Sequence, residues 1–172
     1  MPEVERRGSW WRGGLFLIIA ACVVALDQIT KLWIRSSIPP YELVSIFGNL
    51  SLTNVQNTGS AFGLFVNQGF LLALIGVVGV IAILLFYRYF SKSNLLGISA
   101  LGLVFGGAIG NLVDRFRFGY VTDFIDVRLW HDYHWPSFNV ADSAITIGSI
   151  MLIIFILMTF RKTDGSSSKA GS

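Results

Sequence analysis

Four apolar runs constrain this chain more than any other feature, because each is long enough to decide which solvent surrounds it. A helix crosses the ~30 Å hydrocarbon core of a bilayer with about 20 mostly apolar residues. The runs at 13–34, 69–87, 95–113 and 140–160 meet that length. The first is interrupted by Asp27, Gln28, Thr30 and Lys31, and the second has no charge. The third has Asn111 as its one strongly polar side chain, and the fourth has Asp142 near its start. In hydrocarbon every backbone N–H and C=O must be paired within the segment, so these runs are read as helices. No period-2 alternation of the kind that builds a membrane barrel is visible. Composition agrees: 13% of the 172 residues are charged, about half the share usual in soluble domains. The expectation is an all-α membrane protein, with one four-span domain over 1–162 and a disordered cytoplasmic tail at 163–172 that is rich in Ser and Gly.

Lys and Arg set the orientation. The flank before the first span, the 88–94 turn and the tail hold Arg6, Arg7, Arg12, Arg88, Lys92, Arg161, Lys162 and Lys169. The opposite side holds Arg35, Arg115, Arg117 and Arg128. Both termini are therefore expected in the cytoplasm. The net charge of +3 is too small and too dispersed for a nucleic-acid face.

The two outer segments, 35–68 and 114–139, are long, and loops of that length are usually functional or disordered. In the first, Leu43–Phe47 and 50–55 favour β structure and flank Gly48-Asn49, which predicts a small hairpin or cradle. The second is read as an extracytoplasmic loop. Arg6, Arg7 and Arg12 before an apolar run ending in Ile19-Ala20-Ala21-Cys22 mimic a lipoprotein signal. The apolar stretch continues past Cys22 and three more spans follow, so Cys22 is read as a small packed hydrophobe.

Ionisable groups inside a membrane cost at least a few kcal/mol each and point to function by default. Asp27 and Lys31 stand at i and i+4 and can pair as an anchor for the first span. Asn111, Asp114 and Arg115 share one face of the last turn of the third span. A carboxylate is disfavoured at a helix C-terminus, so Asp114 needs a cation, which Arg115 or Arg117 could supply. If Asn139 caps the fourth helix, Asp142 falls at its third position, where a carboxylate stabilises free N–H groups. Asp123 lies in Tyr120-Val121-Thr122-Asp123-Phe124-Ile125-Asp126 and by itself reads as well as a solvated loop acid. The pair says more than either member. The segment joining spans three and four can fold Asp123 over the start of the fourth helix. Two carboxylates brought together cannot both ionise cheaply, so they share a proton, as in aspartic proteases.

Other sites are weaker. His131 and His134 are i, i+3, but no Glu-bearing zinc motif accompanies them. With Trp130, Tyr133 and Trp135 they read as an interfacial belt. Ser60 could serve as a serine nucleophile, though nothing in its spacing singles it out.

Five segments together resemble the signal peptidase II family of lipoprotein signal peptidases. They are Asp27-Gln28-Ile29-Thr30-Lys31, Asn57-Thr58-Gly59-Ser60-Ala61-Phe62 and Gly106-Gly107-Ala108-Ile109-Gly110-Asn111-Leu112-Val113-Asp114-Arg115. Val121-Thr122-Asp123-Phe124 and Phe138-Asn139-Val140-Ala141-Asp142 complete the set. They run in order from the first span to the fourth. Ser60 and Thr122 depart slightly, standing where the family often has Ala and Val.

The resemblance implies a bacterial membrane aspartyl endopeptidase. It would remove signal peptides from diacylglyceryl-modified prolipoproteins, cutting on the amino side of the lipidated cysteine. Asp123 and Asp142 match the catalytic positions. Asn57, Gly59, Asn111, Asp114, Arg115 and Asn139 match residues around the site, and Asp27 and Lys31 match a supporting element. The implied enzyme needs no metal or organic cofactor. It works as a monomer in the cytoplasmic (inner) membrane, with membrane lipid around it and the site at the outer face. A transporter or proton channel using Asp27, Lys31, Asp114 and Asp142 is the rival reading. Its polar groups should extend through the midplane, yet spans two and four have apolar centres. A non-catalytic scaffold is a third class, one that should tolerate loss of both aspartates.

Overall fold

The computed structural model describes residues 3–59, 69–90, 95–131 and 133–170, with side chains from 11 to 87 and from 95 to 161 within them. Four helices and four strands follow the order α1 (Glu3–Ser37), β1 (Leu43–Phe47), β2 (Leu50–Asn57), α2 (Gly69–Phe90), α3 (Leu95–Phe118), β3 (Val121–Trp130), β4 (Tyr133–Phe138) and α4 (Val140–Ala170). Trp11–Ser37, Gly69–Tyr87, Leu95–Phe118 and Val140–Arg161 are long and apolar enough to cross a membrane. The chain is a multi-pass membrane protein.

The span boundaries run past the expected ones at the polar ends. The third span continues through Asp114 and Arg115 to Phe118, because Asp114 finds its cations within the protein. Gly119 ends it with φ +77°, and its N–H donates to Arg115 O at 3.0 Å. A left-handed residue just past a helix satisfies a free carbonyl, and glycine adopts it without strain. The fourth helix is drawn on from its span through the Ser- and Gly-rich tail to Ala170. Extending an existing helix costs far less than nucleating one, which composition alone does not register.

Helix α3 is the centre of the bundle and packs against α1, α2 and α4. Glycines bring the helices close: a Cβ on Gly106 would lie 2.8 Å from Ala20 O, and one on Gly148 2.8 Å from Ala100 O. The buried stripe of α1 is Phe16, Ala20, Val23, Asp27, Lys31 and Ile34, continued by Ile38 just past its end, one face of a helix by spacing. Phe16 packs with Ile98 and Leu101 near one end. Ile34 and Ile38 pack with Phe124 near the other, where helices meet sheet. Asp27 and Lys31 sit between these apolar clusters. Cys22 does not pack inside as expected. It is exposed on α1, one position before Val23 and two after Ala20, off the face that packs.

The hairpin predicted in the first outer segment is present. The second segment is not a loop, because it forms a hairpin of its own. All four strands make one antiparallel sheet in the order β1-β2-β3-β4. β2 pairs with β3 from Leu50↔Val127 to Asn57↔Val121, with a bulge between Leu52 and Val55. Pro136 sits in β4, an edge strand, where a missing N–H is tolerated. The sheet is small, but it sets where Asp123 stands.

Candidate active site

Three helices and the sheet bring the polar residues of five sequence segments to one place. Asp123, two residues into the regular part of β3, is 2% exposed. Its Oδ2 accepts from Asn57 Nδ2 at 2.8 Å, and its Oδ1 accepts from Asn139 Nδ2 at 2.7 Å. Asn57 is held by its neighbour: the Gly59 N–H donates to Asn57 Oδ1 at 3.0 Å, which leaves the amide nitrogen for Asp123. Ser60 lies outside the described residues.

Asp142 sits in the first turn of α4. Its Oδ1 accepts from Asn111 Nδ2 at 2.8 Å, and its Oδ2 accepts from the Asn139 N–H at 3.2 Å. The Asp142 N–H returns to Asn139 Oδ1 at 2.9 Å. This reciprocal pair is a helix-capping box, as the sequence suggested. The cap and a place in the site are not alternatives, because Asp142 also lines the cavity that Asp123 faces.

That cavity has a volume of about 650 Å³ and is lined by Asn57, Asn111, Arg115, Asp123 and Asp142 on its polar side. Val121, Trp135, Phe138, Ile145 and Ile147 form its apolar wall. Burial raises the Asp123 carboxyl to about 7, and the negative charge of Asp142 pushes in the same direction. The amides of Asn57 and Asn139 and the charge of Lys31 oppose this without cancelling it. A carboxylic acid in this state keeps its proton near neutral pH and can donate it.

Beneath the two aspartates lies a buried charge cluster. Lys31 Nζ is 2.9 Å from Asp27 Oδ2 and 3.4 Å from Asp114 Oδ2. It also donates to Asn111 Oδ1 at 3.0 Å. The expected Asp27–Lys31 pair is therefore present. The expected partner of Asp114 is not: its cations are Lys31 and Arg35 from α1 rather than Arg115 or Arg117 on its own helix. Arg115 turns to the cavity, and Arg117 lies over the Phe118 ring. Two side chains beyond the sequence reading join the cluster. Gln28 bridges Asp27 and Asp114, and Arg35 donates to Thr122 Oγ1 at 2.9 Å. Arg35 follows Lys31 by four residues on the same helix face, which was the available signal.

The cluster reaches both halves of the site. Asp114 Oδ2 accepts the Thr122 N–H at 2.9 Å, next to Asp123. Asp27 Oδ1 accepts the Ala141 N–H at 3.0 Å, next to Asp142. The two histidines do not form a metal group, and no set of three His, Cys, Asp or Glu side chains able to hold a metal occurs among the described residues. His134 Nδ1 lies 2.6 Å from Asp126 Oδ1. Trp130 stacks on Tyr133 with ring centroids 5.3 Å apart.

Comparison with known proteins follows the same residues. A family model described as signal peptidase (SPase) II matches residues 19–158, which include both aspartates and the whole charge cluster. A lipoprotein signal peptidase of Syntrophotalea carbinolica is 44% identical over 144 residues, 81% of this chain and 89% of that one. One from Moorella thermoacetica is 43% identical over 144 residues, covering 83% and 93%. A solved bacterial membrane enzyme superposes with a TM-score of 0.75 at 34% identity, covering 84% of this chain and 88% of its own. With most of the chain matched in both sequence and fold, this membrane protein belongs to the signal peptidase II family and is a peptidase.

Proposed function

We propose that this chain is an aspartic endopeptidase that removes signal peptides from diacylglyceryl-modified prolipoproteins, on the amino side of the lipidated cysteine. The observation that carries the reading is that Asp123 and Asp142 line one cavity, Asp123 held by the side-chain amides of Asn57 and Asn139 and Asp142 by the Asn111 amide and the Asn139 backbone N–H. In this reading the ionised aspartate takes a proton from a water held between the pair. The protonated one hydrogen-bonds the scissile carbonyl and stabilises the developing oxyanion. The resulting diol collapses once a proton reaches the leaving amine of the lipidated cysteine. Asp123, with its raised pKa, suits the protonated role.

Asn57, Asn111 and Asn139 orient the carboxylates. Gly59 holds Asn57, and Asp114 fixes the backbone beside Asp123. Arg115, which turns into the cavity, meets polar groups of the peptide. The apolar wall takes side chains around the scissile bond. The lipid chains of the substrate stay among membrane lipids, because the cavity opens where helices meet the sheet. The protein works as a monomer in the bacterial cytoplasmic membrane, with both termini inside and the site outside; the eight basic residues of the inner segments support that orientation.

The test is cleavage of a synthetic diacylglyceryl prolipopeptide by purified protein, with and without the lipid. The expected result is cleavage only of the lipidated peptide. Substantial turnover by Asp123→Asn or Asp142→Asn defeats the assignment.

A further inference from the structure

The bonds of Lys31 run to Asp27, Asn111 and Asp114, and none of them reaches Asp123 or Asp142. It is fully buried, and its cluster contains two acids and two cations, counting Arg35. A salt-bridge anchor would be enough to explain the contacts with Asp27 and Asp114. The bond to Asn111 is not explained that way.

Lysine has donors and no acceptor, so the Asn111 atom facing it must be Oδ1. A carboxylate has acceptors and no donor, so the atom facing Asp142 must be Nδ2. Both neighbours demand one orientation of the amide. The other support for Oδ1 is Asn139 Nδ2, at 3.2 Å, which is shared with Asp123 Oδ1 at 2.7 Å and Thr122 O at 3.4 Å. The lysine bond is shorter and charge-assisted, so it dominates.

We propose that Lys31 is a positioning residue that locks the Asn111 amide with its N–H toward Asp142, and so aims a carboxylate that it does not itself touch. This rests on the dyad reading above. Without the cation the Oδ1 end of the amide is held only by the longer, shared Asn139 contact, so the amide can rotate away and the carboxylate loses a firmly aimed donor at the point where water must be held. Misplacement of a reacting group by about 1 Å can lower turnover by about 10²-fold.

A double-variant cycle tests this in purified full-length protein: Lys31→Met, Asn111→Leu and both together. It is measured in the natural chain and again with Asp27→Asn, which keeps the buried cluster neutral when Lys31 is replaced. kcat and KM on the diacylglyceryl prolipopeptide are read per folded molecule, beside Tm. The expected result is that Lys31→Met lowers kcat by about 10²-fold with KM within about threefold. With Asn111→Leu already present, Lys31→Met should add less than about threefold, since effects through one group are not additive.

Equal losses with Asn111 intact and replaced overturn the proposal. So does a fall in Tm with kcat per folded molecule unchanged, or failure of Lys31→Met to fold in both charge backgrounds. If Asn111→Leu has no measurable turnover, the kcat, KM and Tm of Lys31→Met decide alone. Asp123→Asn and Asp142→Asn are assayed alongside. Turnover by either would defeat the dyad itself, whereas inert aspartate variants with a multiplicative cycle defeat only the role of Lys31.

Discussion

Asn139 and Asp142 bond each other twice, the Asp142 N–H to Asn139 Oδ1 at 2.9 Å and the Asn139 N–H to Asp142 Oδ2 at 3.2 Å. The same Asn139 sends its side-chain N–H to Asp123 at 2.7 Å. One residue therefore starts α4, orients one aspartate through the backbone and supports the other through its amide. These roles separate by substitution. Asn139→Ser keeps a capping oxygen, so Tm should stay close to that of the natural chain while kcat falls by about 10²-fold. Asn139→Ala should lose a similar factor in kcat and about 1 kcal/mol of stability as well. Thermal unfolding in detergent beside the prolipopeptide assay distinguishes the two.

Asp123→Asn and Asp142→Asn should each reduce cleavage by about 10³-fold or more, since either change removes a proton donor or acceptor from the reaction. Both variants should still accumulate in membranes. Mass spectrometry of the reacted peptide, with protein levels from membrane fractions, gives the two readouts.

The raised Asp123 carboxyl makes a pH prediction with a definite sign. Its value is about 7 in the folded protein against an ordinary 3.8. Between those limits the folded state holds a proton that the unfolded chain releases, so stability falls as pH rises through the window and levels off above it. The full effect is of the order of 4 kcal/mol. The natural chain should lose Tm from pH 5 to pH 8 more steeply than Asp123→Asn. For catalysis, kcat/KM should decline on the alkaline side with a midpoint near 7, as the acid gives up its proton.

Glycine contacts predict where the bundle resists a methyl group. A Cβ on Gly106 meets Ala20 O and Val23 Cβ, both at 2.8 Å, whereas one on Gly79 meets nothing within 4 Å. Gly106→Ala should destabilise by about 1–3 kcal/mol through overpacking. Gly79→Ala should lie within about 0.5 kcal/mol of the natural chain. Paired Tm measurements check the contrast.

Much of this molecule is legible in its sequence because the bilayer leaves few choices. Apolar length alone located the four spans, and i, i+4 spacing paired Asp27 with Lys31. The capping box at Asn139 follows from residue types. The resemblance, rather than spacing, singled out Asp123 and Asp142, since each has an ordinary local explanation. What escaped was non-local. Asp114 reaches Lys31 and Arg35 across a helix interface, and charge pairing within one helix gave the wrong partners. β3 and β4 were missed because their pairing depends on β2, a strand two spans earlier. Cys22 was judged by residue type without regard to which face of α1 packs, and the buried stripe passes it by.

The β2–β3 ladder has a mechanical consequence. Asn57 and Asp123 are carried by paired strands, so the β1–β2 hairpin before α2 and the β3–β4 hairpin after α3 form a single plate. A precursor too bulky for the cavity cannot be admitted by lifting one hairpin while the other stays seated. Either the plate tilts whole, taking Asp123 with it, or entry is sideways from the surrounding lipid.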